Sequence, residues 1–245
     1  MDTENIMYGH HSCVEFIKKS PGRVNRILLS RENYRKYAEV ARLSQENRIP
    51  FDVKERYYLD KIAGGGNHQG IVIYISPYEY YDALELIESA SANPLFILLD
   101  GIEDPQNLGN IIRTSAAAGV EGIVLENRRS AAITSSVMKV SSGGLSSVKI
   151  ARVTNLKNLF VHFNEKDIPI ISTLSAGQNR WTEVDYSRGA AFIFGSEGKG
   201  IRRILVEKSD YTIRIPVQNE MNSLNVAVAV GVIIYEALRQ QGSRL

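Results

Sequence analysis

Six short apolar segments recur between residues 95 and 215 of this 245-residue chain, and helix-length stretches separate them. The segments are 95–99, 122–125, 148–153, 168–172, 190–194 and 211–215. Uninterrupted apolar strands that alternate with helices are typical of a mostly parallel sheet whose two faces are both covered. A long helix is expected from 223 to 240. The fold class is therefore predicted to be α/β.

Residues 1–76 show the same alternation over shorter lengths and predict a small α/β domain of their own. Strands are expected at 24–29, 49–53 and 70–75, and helices at 34–43 and from Ser12. Ser12 and Glu15 form a capping-box pattern, which places a helix start at Ser12.

Two prolines, Pro77 and Pro94, bracket a stretch rich in Tyr and acidic residues. This composition change predicts a linker at 77–94. The expected domains are therefore 1–76 and 95–245.

Composition excludes several kinds of site. The single cysteine, Cys13, cannot form an internal disulfide or a CxxC metal site, and it favours a reducing compartment. The four histidines lack metal-ligand spacing, so no metal is expected. No apolar run approaches the roughly 18 residues that span a bilayer, and residues 1–8 lack a secretory apolar core. A soluble cytoplasmic protein with no membrane partner is expected.

Basic residues concentrate near the N-terminus, although the whole chain carries a formal charge of only +2. Seven Lys or Arg side chains and one acid, Glu32, lie between residues 18 and 36. This basic patch favours contact with a polyanion such as RNA, while a solvated helix and loop surface accounts for it equally well. The candidate RNA-binding residues are Lys18, Lys19, Arg23, Arg26 and Arg31, and Arg35 and Lys36 complete the patch.

Three loops that follow predicted strands, at 100–113, 194–200 and 215–225, are rich in Gly, Asn and charge. Open α/β sheets bind ligands at the carboxyl ends of their strands. Taken singly, each loop has an ordinary explanation, because Asn caps helices and Gly forms turns. The glycines from Gly195 to Gly200 are spaced GxxGxG, the reverse of the dinucleotide fingerprint, which disfavours a nicotinamide enzyme.

Together the three loops resemble, in order and spacing, the signature motifs of the SpoU (TrmH) family of SPOUT methyltransferases. The matching segments are Asn107–Arg113, Phe194–Gly200, and Ile215–Val217 with Ser223–Val226. Tyr8-Gly-His10 and residues 64–70 resemble the ribosomal-protein-like RNA-binding domain of the ribosomal members. The resemblance covers nearly the whole chain and is weakest at 76–94.

This resemblance implies an RNA ribose 2′-O-methyltransferase that uses S-adenosylmethionine. It also implies a deep trefoil knot in the C-terminal domain and a homodimer whose active site is completed across the interface. The N-terminal domain favours a guanosine of 23S ribosomal RNA as the target. A transfer-RNA methylase is one alternative. A catalytically silent RNA-binding module of the same fold is another, although the residues whose loss would mark it are all present.

By matched position, the resemblance also implies the site residues. The catalytic set is Asn107, Arg113, Glu197, Ser223 and Asn225, and the cofactor-binding set is Thr173, Gly195, Ile215, Val217 and Leu224. Arg113 is placed at the acceptor ribose. A guanidinium is a poor base because its pKa exceeds about 12. Electrostatic stabilisation and phosphate anchoring are therefore favoured over proton abstraction, the role usually written for it in the family. Glu197 is expected to hold Asn107, Arg113 or a residue of the partner chain, and Ser223 and Asn225 to position Arg113 or the acceptor phosphate.

Overall fold

The computed structural model describes residues 6–32, 37–218 and 223–242, so Arg35 and Lys36 of the basic patch lie outside the described residues. The chain divides into two compact units. The first comprises residues 1–78 together with 133–146, and the second comprises 79–132 and 147–245. Within the described ranges, no helix has the length and apolarity needed to cross a membrane.

The first unit is built on a four-stranded sheet in the order β1-β4-β2-β3. Its strands are β1 Ile6–Tyr8, β2 Val24–Ser30, β3 Phe51–Lys54 and β4 Ile71–Ile75. β2 and β3 pair in parallel, and the other pairs are antiparallel. Its helices are α1 His10–Lys19, α2 Ala38–Glu46 and α3 Arg56–Ala63, joined by α6 Ser135–Val140 from the later segment.

The capping-box prediction at Ser12 is wrong, because α1 begins two residues earlier, at His10. Gly9 precedes the helix with φ of 96°, a value that glycine adopts readily. The side-chain Oε1 of Gln69 accepts a hydrogen bond from the His10 backbone N–H at 2.8 Å. A residue 59 positions away in sequence thus supplies the acceptor that a local side chain was expected to provide.

The second unit contains a seven-stranded, wholly parallel sheet in the order β7-β6-β5-β10-β8-β11-β9. The strands are β5 Leu95–Asp100, β6 Gly122–Glu126, β7 Lys149–Val153, β8 Ile170–Thr173, β9 Asn179–Arg180, β10 Ala190–Gly195 and β11 Tyr211–Arg214. The helices are α4 Ala83–Glu88, α5 Pro105–Ala117, α7 Phe160–Glu165, α8 Arg203–Val206 and α9 Val226–Gln240. The prediction of a mostly parallel α/β sheet is confirmed, and the trefoil knot stays a prediction.

The order of these strands sets the position of the motif loops. β5 and β10 are neighbours, and Asp100 at the end of one lies in register with Gly195 at the end of the other. The loops that follow them therefore leave the sheet side by side. All five residues of Leu95–Leu99 are buried, and Phe96 packs edge-on against Phe163 of α7 at 5.3 Å between ring centres. This core fixes the strand ends on which the loops depend.

The stretch expected as a linker contains structure that belongs to the second unit. Asp82 caps α4, because its Oδ1 accepts hydrogen bonds from the backbone N–H groups of Leu84 and Glu85. The apolar side of this helix, including Leu86 and Ile87, is buried in the core. Burial of apolar side chains outweighs the proline and acid signals that suggested an open connection.

Candidate active site

A pocket of about 370 Å³ opens where β8, β10 and β11 end, and we call it the cofactor pocket. All five predicted cofactor residues line it: Thr173, Gly195, Ile215, Val217 and Leu224. Apolar side chains of Phe194 and Ile213 add to its wall. A cavity that combines apolar side chains with polar groups is typical of a small-molecule site.

Gly195 is required for a reason that the sequence does not show. A Cβ built on Gly195 would overlap the backbone of Gly200 in the loop that follows β10. That loop closes on itself, since the Gly200 N–H donates to the Ser196 carbonyl at 2.8 Å. Gly195 therefore leaves room for the backbone of its own loop.

A hydrogen-bonded network of Asn107, Glu197 and Asn225 joins the three motif loops. The Asn225 side-chain N–H group donates to Asn107 Oδ1 at 2.8 Å and to Glu197 Oε1 at 2.8 Å. Asn107 Nδ2 also donates to Glu197 Oε1, at 3.4 Å. Residues far apart in the chain thus form one cluster, which we call the Asn–Glu–Asn network. The expectation that Glu197 holds Asn107 agrees with this placement.

Two helix N-termini hold this network in place. Asn225 is the N-cap of α9, and its Oδ1 accepts hydrogen bonds from the N–H groups of Ala227 and Val228. α9 therefore begins after the expected Ser223. At α5, Asp104 is the N-cap and accepts from the Asn107 N–H at 3.3 Å. Because Asn225 uses its oxygen for the cap and its amide for Asn107 and Glu197, the expectation that it positions Arg113 is not met within this chain.

The structure places Arg113 apart from this cluster. Arg113 is exposed on α5 and has no hydrogen bond or ion pair with any described residue. It lies six residues beyond Asn107, which corresponds to about 9 Å along a helix and about 120° around it. Ser223, by contrast, lines the cofactor pocket beside Leu224. One protomer thus gathers four of the five predicted catalytic residues at one edge of the sheet.

Sequence reasoning missed a buried ion cluster beneath the second motif loop. Asp100 ends β5 and Glu126 ends β6, and both side chains are buried. Arg202 Nε donates to Asp100 Oδ1 at 2.8 Å, and its Nη2 donates to Glu126 Oε1 at 2.6 Å. Burial alone would lower the pKa of Arg202, but these hydrogen bonds raise it. The sequence signal that could have indicated this cluster is an acidic residue at the end of each of two apolar strands, Asp100 and Glu126.

Three of the five described residues of the basic patch pair with acidic side chains, and the other two donate to backbone carbonyls. Ion pairs join Lys18 to Glu39 at 2.7 Å, Arg26 to Asp52 at 3.6 Å, and Arg31 to Glu55 at 3.2 Å. Lys19 donates to the Ser142 carbonyl, and Arg23 to the Ser76 carbonyl. Exposed pairs of this kind are weak, so RNA phosphates can compete for the cations. The RNA-binding role of these residues stays a prediction.

The two N-terminal motif segments meet in the first unit. A Cβ on Gly66 would overlap the ring of Tyr8, so this glycine makes room for the aromatic side chain. His10 stacks on Tyr37 with ring centres 4.7 Å apart.

His68 is buried, and its Nε2 lies 2.8 Å from Asp60 Oδ1. In the described parts of the chain, no group of three or more His, Cys, Asp or Glu side chains is arranged to hold a metal ion.

Comparison with known proteins agrees with this geometry. The model of the SpoU rRNA Methylase family matches residues 94–235, and that of the RNA 2′-O ribose methyltransferase substrate binding domain matches 6–81. Escherichia coli 23S rRNA (guanosine-2′-O-)-methyltransferase RlmB is 33% identical over 96% of this chain and 98% of its own length. The uncharacterized tRNA/rRNA methyltransferase slr0955 of Synechocystis is 35% identical over 97% of this chain, which spans 63% of that longer protein.

A solved structure shows the same fold. The SpoU methyltransferase AviRb from Streptomyces viridochromogenes, in complex with AdoMet, aligns with a TM-score of 0.80. The alignment covers 98% of this chain and 91% of that one, at 22% identity. With both family models matched and a curated relative aligned over nearly its full length, the chain belongs to the SpoU rRNA methylase family.

Proposed function

We propose that this protein transfers a methyl group from S-adenosylmethionine to a ribose 2′-hydroxyl of RNA, with a guanosine of 23S ribosomal RNA as its target. The observation that carries the proposal is the Asn–Glu–Asn network, whose Glu197 lines the cofactor pocket. Family membership supplies the reaction class, and the network supplies groups suited to orienting a hydroxyl.

The chemistry of the cofactor pocket fits an adenosyl ligand. Ile215 and Leu224 offer apolar surfaces for a flat base, and Thr173 and Ser223 add hydroxyl groups. The Thr173 hydroxyl donates to the Ile193 carbonyl at 2.8 Å, which leaves its oxygen lone pairs for a ligand donor. When bound there, S-adenosylmethionine supplies an activated methyl group on a sulfonium.

The residues of the network then act on the acceptor. Asn225 holds Oε1 of Glu197 while its own oxygen is fixed by α9, so the carboxylate is oriented before any ligand arrives. Within the described residues, Glu197 Oε2 has no hydrogen-bond partner. We infer that this oxygen accepts a hydrogen bond from the incoming RNA. Pre-organised alignment of this kind lowers the barrier of methyl transfer by several kcal/mol.

Arg113 completes the site from a second copy of the chain. Its exposed position on α5, outside the lining of the cofactor pocket, supports a role across an interface. Val228 and Tyr235 lie seven residues apart on one side of α9 and are 52% and 39% exposed. An exposed apolar strip beside α5 supports a homodimer. There, Arg113 stabilises developing negative charge on the ribose oxygen and anchors the adjacent phosphate.

Ribosomal RNA is favoured over transfer RNA as the substrate. The substrate-binding family model matches residues 6–81, which include most of the first unit, and the RlmB relative carries an rRNA name over nearly the same length. The Synechocystis relative carries both RNA classes in its name, which makes transfer RNA the alternative. Because ribosomal RNA is modified where ribosomes assemble, we infer that the protein acts in the cytoplasm.

The proposal is tested by methyl transfer in vitro. Purified protein is incubated with methyl-labelled S-adenosylmethionine and either unmodified 23S rRNA or unmodified tRNA, and the RNA is digested to nucleosides. We expect 2′-O-methylguanosine from rRNA and no label in Arg113→Ala. Label on a base, or label on tRNA alone, would overturn the reaction or the substrate, respectively.

A further inference from the structure

A second pocket, of about 290 Å³, shares a wall with the cofactor pocket. The loop Ser196–Gly200 and Val226 line both cavities. Glu197 therefore faces both, and Asn107 lines the second pocket only. A methyl group can pass between two bound molecules only where their sites adjoin. We therefore expect the acceptor to meet the donor beside the loop that lines both pockets.

Two cations in the second pocket remain available for an anion. Of the three basic side chains that line it, Arg202 is held by Asp100 and Glu126. Arg129 is 55% exposed, and its Nη2 lies 3.7 Å from Glu126 Oε2, too far for a hydrogen bond. The Lys199 side chain is exposed and has no ion pair within the described ranges.

The carboxylates of this pocket are mostly engaged. Asp100 is paired with Arg202, Asp104 caps α5, and Glu197 belongs to the Asn–Glu–Asn network. Glu103 is the remaining acid in the lining, and it is exposed. Four acidic and three basic side chains line the pocket, and Arg129 and Lys199 are the two cations that make no hydrogen bond to a carboxylate among the described residues.

The segment that carries Arg129 is fixed at several points. Arg152 Nη2 lies 3.3–3.4 Å from the carbonyl oxygens of Glu126, Asn127 and Ser130 and donates to them. The Ala131 N–H donates to the Ile102 carbonyl at 2.8 Å, which ties the segment to the loop after β5. Arg129 is thus presented from a braced backbone, and a guanidinium so placed loses little freedom when it binds phosphate.

We propose that the second pocket receives the acceptor nucleotide and that Arg129, assisted by Lys199, binds one of the two phosphates that flank the methylated ribose, the other being the phosphate assigned to Arg113. This inference rests on the proposed function and extends it to a subsite. Guanidinium groups form paired hydrogen bonds to phosphate, and Lys199 adds a point charge from the shared wall. Arg129 is a binding residue for RNA and has no part in holding the methyl donor.

The test compares Arg129→Gln with Arg128→Gln in the full-length protein. Arg128 is the adjacent, exposed arginine, and it does not line the pocket, so the pair changes charge equally. RNA affinity is measured against salt concentration, and S-adenosylmethionine affinity is measured separately. We expect Arg129→Gln to weaken RNA binding about tenfold and to reduce the salt slope by about 0.7–0.9, the value for one phosphate contact. Arg128→Gln is expected to keep the wild-type slope, and both variants to keep wild-type cofactor affinity.

Equal RNA affinity and slope in the two variants would overturn the subsite, as would a loss of cofactor binding in Arg129→Gln. If Arg129→Gln does not fold, Arg129→Lys against Arg128→Lys replaces it. The lysine is expected to keep the slope while KM for RNA rises, because the charge remains and the paired donors are lost. Methyl transfer by the wild-type protein is measured in the same assay to separate the two proposals. If the wild type transfers no methyl group, the proposed function is contradicted. If it does, and the two variants bind RNA equally, only the subsite is contradicted.

Discussion

Asn225 performs two tasks with the two ends of one side chain, and substitution can separate them. Serine supplies an N-cap oxygen but cannot bridge Asn107 and Glu197. We expect Asn225→Ser to keep the wild-type melting temperature and to lose at least tenfold in single-turnover methyl transfer. Asn225→Ala is expected to lose activity equally and to lose about 1 kcal/mol of stability as well. Wild-type turnover in Asn225→Ser would show that the network is only structural.

Cys13 is predicted to be chemically inert in the folded protein. Its side chain is fully buried, its Sγ lies 3.6 Å from the Met7 carbonyl, and burial raises the pKa of the thiol. We expect no fast reaction with a thiol reagent at pH 8, and one equivalent after unfolding in guanidinium chloride. Because the unfolded thiol ionises above about pH 8.5 and the folded one does not, its contribution to stability is present at neutral pH and lost above that pH. A stoichiometric burst from native protein would contradict this prediction.

Single residues differ in how far the sequence reveals them. Gly195 and Leu224 belong to recognisable motif segments, and the structure brings them to one pocket. Gln69 and Arg202 could not be found in this way. Gln69 lies 59 positions from its partner His10, and Arg202 lies 102 and 76 positions from Asp100 and Glu126, so only the fold brings these residues together. Local sequence patterns carry information about neighbours in the chain, and these contacts are between distant segments.

At the level of elements, Arg202 ties the loop after β10 to the ends of β5 and β6. Replacing it with methionine leaves Asp100 buried without a counter-charge and leaves Glu126 with only Arg129, at 3.7 Å, as its ionic partner. We expect Arg202→Met to cost about 3 kcal/mol in urea unfolding. Adding Asp100→Asn and Glu126→Gln to this variant is expected to restore part of that loss, since the uncompensated charge is removed. Full wild-type stability in the single variant would show that the cluster contributes nothing.

The exposed face of α9 leads to a prediction about assembly. Val228→Glu places a charge on the apolar strip that we assign to the dimer, and Val161→Glu on α7 is a matched control because Val161 is 54% exposed. Sedimentation velocity is expected to give a dimer for the wild type and the control, and a monomer for Val228→Glu. The monomer is expected to lose methyl transfer, because Arg113 no longer reaches the site. A fully active monomer would place Arg113 within its own protomer.

The central strands of the second unit, β5, β6, β8 and β10, are predictable because each is a continuous apolar run that is almost wholly buried. β1 and β9 escaped prediction. β9 spans only Asn179–Arg180, and β1 spans only Ile6–Tyr8 beside a polar terminus. The first turn of α1 was misplaced because Gly9 and a distant glutamine replace the local cap. Short elements that depend on tertiary partners leave little periodic signal.

At the level of the whole molecule, chain order and compact units do not coincide. Residues 133–146 follow β6 in sequence, yet they pack with the first unit, where Lys139 Nζ lies 5.7 Å from the centre of the Tyr8 ring. A composition change marks a boundary only between consecutive segments. The sequence therefore predicted one linker and could not reveal that residues 133–146 belong to the first unit. Removal of residues 1–78 therefore leaves 133–146 without its packing partners, and a truncated enzyme needs that segment replaced as well.

The central claim concerns one 2′-hydroxyl in RNA, and mapping 2′-O-methyl groups in cellular RNA tests it most directly. RNA is compared from cells with the gene, cells without it, and cells that carry Asn225→Ser or Arg128→Gln in its place. We predict that one guanosine of 23S rRNA loses its methyl group in the deletion and in Asn225→Ser, and keeps it in Arg128→Gln. An unchanged 2′-O-methyl map after deletion of the gene would contradict the account.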